Sequence, residues 1–433
     1  MEGFVPSICL KPPQNMEFLS IILFVIGYLA IAFEHPLKIN KTATALVTGV
    51  LVWVVFALVK GQGELSVLTH HLGATSEILF FLLGAMTLVE LVDAHQGFRF
   101  ISNLIQTQNA VKLLIISSII TFFLSAVLDN LTTAIVMVTL LRKLISDQQT
   151  RKYFVGIVVI AANAGGAWSP IGDVTTTMLW IGGQISALGI VKALILPSIV
   201  SLAIPILVAS FKVKKMSLGL PEKMSHLTKQ EEKDGRIMLL AGTLSLLGVP
   251  VFKTLTHLPP YMGILLALGI VWIISEFIHS DKDEASKKPL SVGHALTKID
   301  TSSVLFFLGI LMAIAGLESF GYLEELALAL NHLVGNQNVI VTLIGIASSV
   351  VDNVPLVAAT MGMYSITEFP IDHPMWEYLA YCAGTGGSIL IIGSAAGVAV
   401  MGMEKIEFGW YAKNIGLLAI LGYFAGALVY LVL

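Results

Sequence analysis

Two short acidic turns lie inside apolar sequence, Ser125-Ala126-Val127-Leu128-Asp129-Asn130 and Ser348-Ser349-Val350-Val351-Asp352-Asn353. An ionisable residue in a membrane span is costly and functional by default. Two carboxylates in a partly dry site can hold a proton and release it when a hard cation such as Na⁺ arrives, since hard cations prefer oxygen ligands. The bland alternative is a pair of helix caps, for which Asp and Asn are well suited. The duplicated position argues against two unrelated caps. A third acid, Asp173, stands in Ser169-Pro170-Ile171-Gly172-Asp173-Val174-Thr175-Thr176-Thr177. Pro170 and Gly172 break a helix there, so Asp173, Thr175, Thr176 and freed backbone carbonyls can coordinate an ion. Asn163 opens the same break. The alternative reading is a proline kink with local caps.

The second half repeats this break with Gly386, Gly387 and Gly393, but carries Ser394 where Asp173 stands. The expected site therefore has three acids, with Na⁺ held at Asp129, Asp173 and Asp352. Ser348, Thr132, Thr133, Thr385 and Ser388 are secondary ligand candidates, and helix packing is an equal reading for each. Glu77, Glu90, Asp93, Glu318, Glu276 and His279 read as interfacial groups. His70-His71 reads as a loop pair that could titrate near neutrality.

Such residues need helices to hold them at depth. The chain has 433 residues, 56% hydrophobic and 12% charged, with a mean hydropathy of +0.86. Soluble proteins average about 25% charged residues. This excludes a disordered chain, a coiled coil and an ordinary soluble enzyme. Two cysteines, Cys9 and Cys382, exclude a disulfide framework. A net charge of −3 gives no basic patch for nucleic acid. No Lys/Arg-headed signal peptide is read at the start.

A membrane span takes roughly 20 apolar residues. Apolar runs fall near 18–33, 42–60, 77–94, 189–211, 237–255, 260–279, 302–319 and 408–432. Segments 111–146 and 338–366 read as re-entrant hairpins with Asp-Asn tips and limbs short for a full span. Segments 153–188 and 375–402 read as broken helices. Segments 95–108 and 320–336 read as interfacial helices. Residues 78–84 match 304–309, the two tips match, and Asn163–Gly172 matches Gly384–Gly393, all in one order. The expected fold is therefore an all-α polytopic membrane protein of two repeats, 1–211 and 237–433, joined by a cytoplasmic linker over 212–236.

Five crossings per half make the second repeat inverted. Lys/Arg placement agrees: 21 lie in 34–41, 95–152, 212–236, 280–298 and 403–413, and four lie on the other side. The positive-inside rule makes the first side cytoplasmic. Inverted repeats with paired glycine-interrupted segments point to a transporter's midplane site.

Leu128–Ala134, Asn163–Thr176 and Val351-Asp352-Asn353-Val354-Pro355 resemble the NhaD family of bacterial sodium/proton antiporters, over nearly the whole chain after the first 18 residues. The resemblance implies the ion transporter superfamily fold, with a scaffold, a mobile transport domain and a homodimer in the bacterial inner membrane. It implies a cation path lined by Asp129, Asn130, Asn163, Asp173, Thr175, Thr176, Ser348, Asp352 and Asn353, with Ser388 and Ser394 matching less closely. No cofactor is implied beyond the transported Na⁺ or Li⁺ and H⁺. Related anion carriers have Ser-Asn-Thr tips. The acids here favour a cation over the competing substrates, arsenite or a carboxylate. An intramembrane aspartyl protease is the contrasting class; it needs Gly-x-Gly-Asp, and position 170 is Pro.

Overall fold

The computed structural model describes residues 15–61, 65–99, 107–218, 228–280 and 282–433. They are helical, with no strand among them. The first half holds α1 (Asn15–Ala32), α2 (Lys41–Lys60), α3 (Leu65–Ala94), the pair α4 (Ala110–Leu128) and α5 (Asn130–Leu144), then α6 (Gln148–Ala167), α7 (Val174–Ile181) and α8 (Ala187–Val213). The second half holds α9 (Lys229–Thr256), α10 (Pro260–His279), α11 (Thr301–Ser319), α12 (Tyr322–Val334), the pair α13 (Gln337–Ala347) and α14 (Asn353–Met363), then α15 (Pro374–Gly386), α16 (Ala395–Glu404) and α17 (Phe408–Val432).

Eight described helices are long and apolar enough to cross a membrane by length and composition. Exposed apolar side chains such as Leu240, Leu244, Val251 and Leu255 run along one face of α9. Such a face suits lipid contact, where internally bonded helices are needed because the hydrocarbon offers no partner for backbone polar groups. Ends are set locally: Asn40 caps α2 by accepting the Thr42 amide, and Thr228 and Glu231 form a capping box at α9.

Contacts set the directions of the helices. Helices α3 and α11 carry the matching Leu-Phe-Phe motifs. Ser319 meets His71, and Thr75 meets Met312, so the two helices run antiparallel. Helix α11 instead runs parallel to α2: Thr42 bonds Ser302, and Trp53 Nε1 donates to the Met312 carbonyl at 2.8 Å.

The two broken helices form the buried centre. Residues 153–167 of α6 and 378–386 of α15 are buried throughout. The tip of the α4–α5 pair lies along the α6–α7 break, where Ser169 Oγ donates to the Ala126 carbonyl at 2.5 Å. In the second half, Ser348 Oγ donates to the Ala383 carbonyl at 3.1 Å. Cross-packing is reciprocal: α5 lies on α16, and α14 lies on α7.

Three sequence expectations are adjusted. The first limb, α4, has 19 residues with hydropathy 2.3, enough to span by length, so limb length alone does not define that hairpin. Segment 320–336 continues past α12 into α13 through a 113° bend. Of segment 95–108, residues 95–98 form a turn, and 100–106 lie outside the described residues, as do 219–227 of the linker.

Candidate functional site

Four helices begin at the centre, and each is capped by a residue that the sequence singles out. Asp129 caps α5, taking the Thr132 amide and Thr132 Oγ1, each at 2.8 Å. Asp173 caps α7 through the Thr175 amide at 2.9 Å and Thr175 Oγ1 at 2.8 Å. Asp352 caps α14 through the Val354 amide at 3.2 Å. Ser394 caps α16 through the Gly397 amide at 3.2 Å. Capping thus holds at all four positions. Each carboxylate sits at a helix N-terminus, where the aligned peptide dipoles favour negative charge. Carbonyls at the ends of the preceding helices are taken up locally: the Ala126 carbonyl accepts Ser169 Oγ, and the Gly166 carbonyl accepts the Ser169 amide.

Asp173 is almost fully buried, with 1% exposure, and its acceptor sites are filled. Asn130 Nδ2 donates to Asp173 Oδ2 at 2.6 Å, and the Asn353 side chain, its equivalent in the other half, bonds Asp173 too. Asn130 also donates to Asn163 Oδ1 at 3.1 Å. Asn163 Nδ2 then donates to Ser388 Oγ at 2.9 Å and Ser394 Oγ at 3.0 Å. One buried network therefore joins Asp173, Thr175, Asn130, Asn353, Asn163, Ser388 and Ser394. A satisfied network of this kind fixes its members, because an unpaired polar group in the interior is expensive.

Four expected residues lie outside it: the tip acids Asp129 and Asp352, and the hydroxyls of Ser348 and Thr176. Ser348 donates to the Gly345 and Ala383 carbonyls, and Thr176 donates to the Asp173 carbonyl at 2.9 Å. Both hydroxyls are spent on backbone. Among the secondary candidates, Thr385 donates to the Tyr381 carbonyl at 2.6 Å, whereas the Thr133 hydroxyl is buried without a partner.

The tip aspartates open into different cavities. Asp129 and Asp173 line one of about 60 Å³ with Thr132, Ser303 and Phe307. Asp352 lines another of about 320 Å³ with Tyr28, Glu34 and Lys41. Asp173 lines the first cavity with Asp129 and does not line the second. No described Lys or Arg is paired with Asp129, whereas Lys41 Nζ lies 3.4 Å from Asp352 Oδ2.

A family model described as "Citrate transporter", CitMHS, matches residues 28–376. The chain belongs to the CitMHS family. Sodium/proton antiporter 1 of Arabidopsis thaliana is 50% identical over 96% of this chain and 72% of its own length. Sodium/proton antiporter 2 of the same plant is 46% identical over 95% and 98%. The Na⁺/H⁺ antiporter NhaD of Vibrio cholerae is 31% identical over 90% and 86%. Among solved structures, the Alcanivorax borkumensis YdaH transporter covers 96% of this chain and 98% of its own, at 11% identity and a TM-score of 0.49. The CitMHS chain is a multi-pass membrane transporter and not an enzyme, with NhaD antiporters among its relatives.

Sequence reasoning missed Lys41 in this CitMHS chain. It precedes an apolar run and reads as an interfacial residue, and its partner lies 311 positions away. It also missed the buried pair His95–His279, whose Nε2 atoms are 2.7 Å apart where α3 and α10 end.

Proposed function

We propose that the protein exchanges Na⁺ or Li⁺ for H⁺, with Asp129 as the acid that takes either ion. One observation carries this reading: Asp129 faces a cavity, accepts hydrogen bonds only from Thr132 and Leu131, and has no cationic partner among the described residues. A Na⁺ ion in that cavity would meet Asp129 carboxylate oxygens and the neighbouring hydroxyl oxygen of Thr132. A proton on Asp129 removes the charge that attracts the metal, so the two ions exclude one another. Asp173, already bonded by the Asn130 side chain and by the Thr175 amide and hydroxyl, holds the site in register. Asp352 is the second tip acid, and the cation reaches it from the other cavity. Names of the plant and bacterial relatives support the same ion pair.

The 1–211 and 237–433 repeats, their re-entrant hairpins and the homodimer belong to this proposal. Bacterial relatives support a bacterial inner membrane, and the plant relatives extend the same exchange to a plant membrane. The family model's citrate description supports a carboxylate carrier as the second reading. Three acids at the centre would repel such a substrate, since like charges are costly where water is scarce.

The test is purified protein in liposomes holding a pH-sensitive dye. Sodium addition should discharge a preset proton gradient from mildly acidic to alkaline pH. A chain that instead takes up labelled citrate, with no Na⁺-dependent proton movement, would replace the proposal by the second reading.

A further inference from the structure

Lys41 opens α2, and its Nζ lies 3.4 Å from Asp352 Oδ2, with side chains 23% and 13% exposed. The same ammonium sits 4.5 Å from the centre of the Phe306 ring on α11. The pair faces the cavity of about 320 Å³, whose wall also carries Glu34 and Tyr28. The Tyr28 hydroxyl is buried there without a hydrogen-bond partner. Other charged groups nearby are engaged elsewhere. Glu34 Oε1 accepts the Lys41 backbone amide at 3.1 Å, and Asp300 caps α11 through Ser303. The other tip differs. The second-half helix in the place of α2, α10, opens with Pro260 rather than a lysine, and Asp129 has no described cationic partner.

We propose that Lys41 is a tethered counter-cation that competes with the transported cation for Asp352 and so sets the cation concentration at which that site fills. A tethered group acts at an effective local concentration in the millimolar range or above. An arriving Na⁺ must displace the ammonium, which has the cavity to move into. The Phe306 face offers the displaced ammonium a second resting place, because an aromatic face attracts a cation. With the ammonium in place, the Asp352 oxygen it contacts is already paired; without it, that oxygen is open to an arriving cation. This inference rests on the exchange reading above.

The test compares wild type, Lys41→Met and Lys41→Arg in liposomes, with folding checked by size-exclusion chromatography. Methionine keeps the stem that packs beside Phe306 and removes the charge. At alkaline pH, Lys41→Met should lower the apparent KM for Na⁺ about five-fold, the scale of one partly exposed ion pair. Lys41→Arg keeps the charge and should hold the KM at or above the wild-type value, since a guanidinium pairs with a carboxylate at least as well as an ammonium does. A folded Lys41→Met protein whose KM follows the wild-type curve at every pH would overturn the proposal. If Lys41→Met does not fold, Na⁺-dependent thermal stabilisation of Lys41→Gln decides by the same comparison. Wild-type protein without exchange would refute the function instead, so the two failures are distinguishable.

Discussion

Asp129 holds φ at +95°, a region that side-chain-bearing residues avoid and glycine enters freely. Its carboxylate offsets part of that cost by capping α5 through Thr132. Replacing it with glycine relaxes the backbone and removes the cap, two effects of about 1 kcal/mol each with opposite sign. We therefore expect Asp129→Gly to leave the unfolding temperature within a few degrees of wild type while abolishing Na⁺-dependent proton movement. Differential scanning fluorimetry and liposome flux, run on one preparation, check this. A folded variant that still exchanges would remove Asp129 from the ion path. A residue kept in an unfavourable conformation for its side chain is the sign of a functional position.

The elements meet through glycine. A Cβ on Gly165 of α6 would run into the Phe122 carbonyl of α4, and one on Gly386 of α15 would run into the Gly345 carbonyl of α13. Both obstacles are backbone, so the helices themselves must part. Gly165→Ala and Gly386→Ala should each destabilise by roughly 1–3 kcal/mol, the cost of overpacking, and to a similar degree although they lie in different halves. Thermal melts in detergent measure it, and an unchanged melt in either would contradict the packing.

A second element-scale prediction concerns Glu404, which is 2% exposed at the end of α16. Arg142 Nε reaches it at 2.6 Å and Arg151 Nε at 2.9 Å. Arg142 also donates to the Met403 carbonyl. Glu404→Ala leaves Arg151, with 16% side-chain exposure, without its carboxylate and should cost about 3 kcal/mol. Arg151→Met in that background should recover part of the loss, and a purely additive double mutant would show that the pair is not coupled.

The elements were largely legible from residue pattern. Both Asp-Asn tips, the Pro170–Gly172 break and the matching glycines fall where helices end and begin, because local chemistry dictates caps and breaks. Partnerships across the sequence were not legible. Nothing local in Glu404 or Lys41 announces an ion pair formed by residues 253 or 311 positions away. The 19-residue α4 shows the same limit from the other side, since an apolar limb of that length reads alike whether it spans or turns back.

For the whole molecule, the halves are interleaved. Asn163 of the first half donates to Ser388 and Ser394 of the second, and Asn353 of the second bonds Asp173 of the first. Neither half can satisfy its own buried polar groups, and each unpaired one costs about 1–3 kcal/mol. Expressing residues 1–222 and 223–433 as separate chains should therefore give a complex that co-purifies and exchanges Na⁺ for H⁺. Either piece alone should fail to give a monodisperse peak in detergent. A lone half that is stable would show that the interleaved contacts are dispensable.

The antiparallel pairing of α3 with α11 has a mechanical corollary. Duplication left one boundary in this chain, between its first and second copies, yet the copies are stitched together along that boundary at the centre. A shear between the two copies would break the Asn163–Ser388 and Asn163–Ser394 bonds, so any large displacement that keeps them carries residues of both copies together. Sequence halves and mechanical units need not coincide.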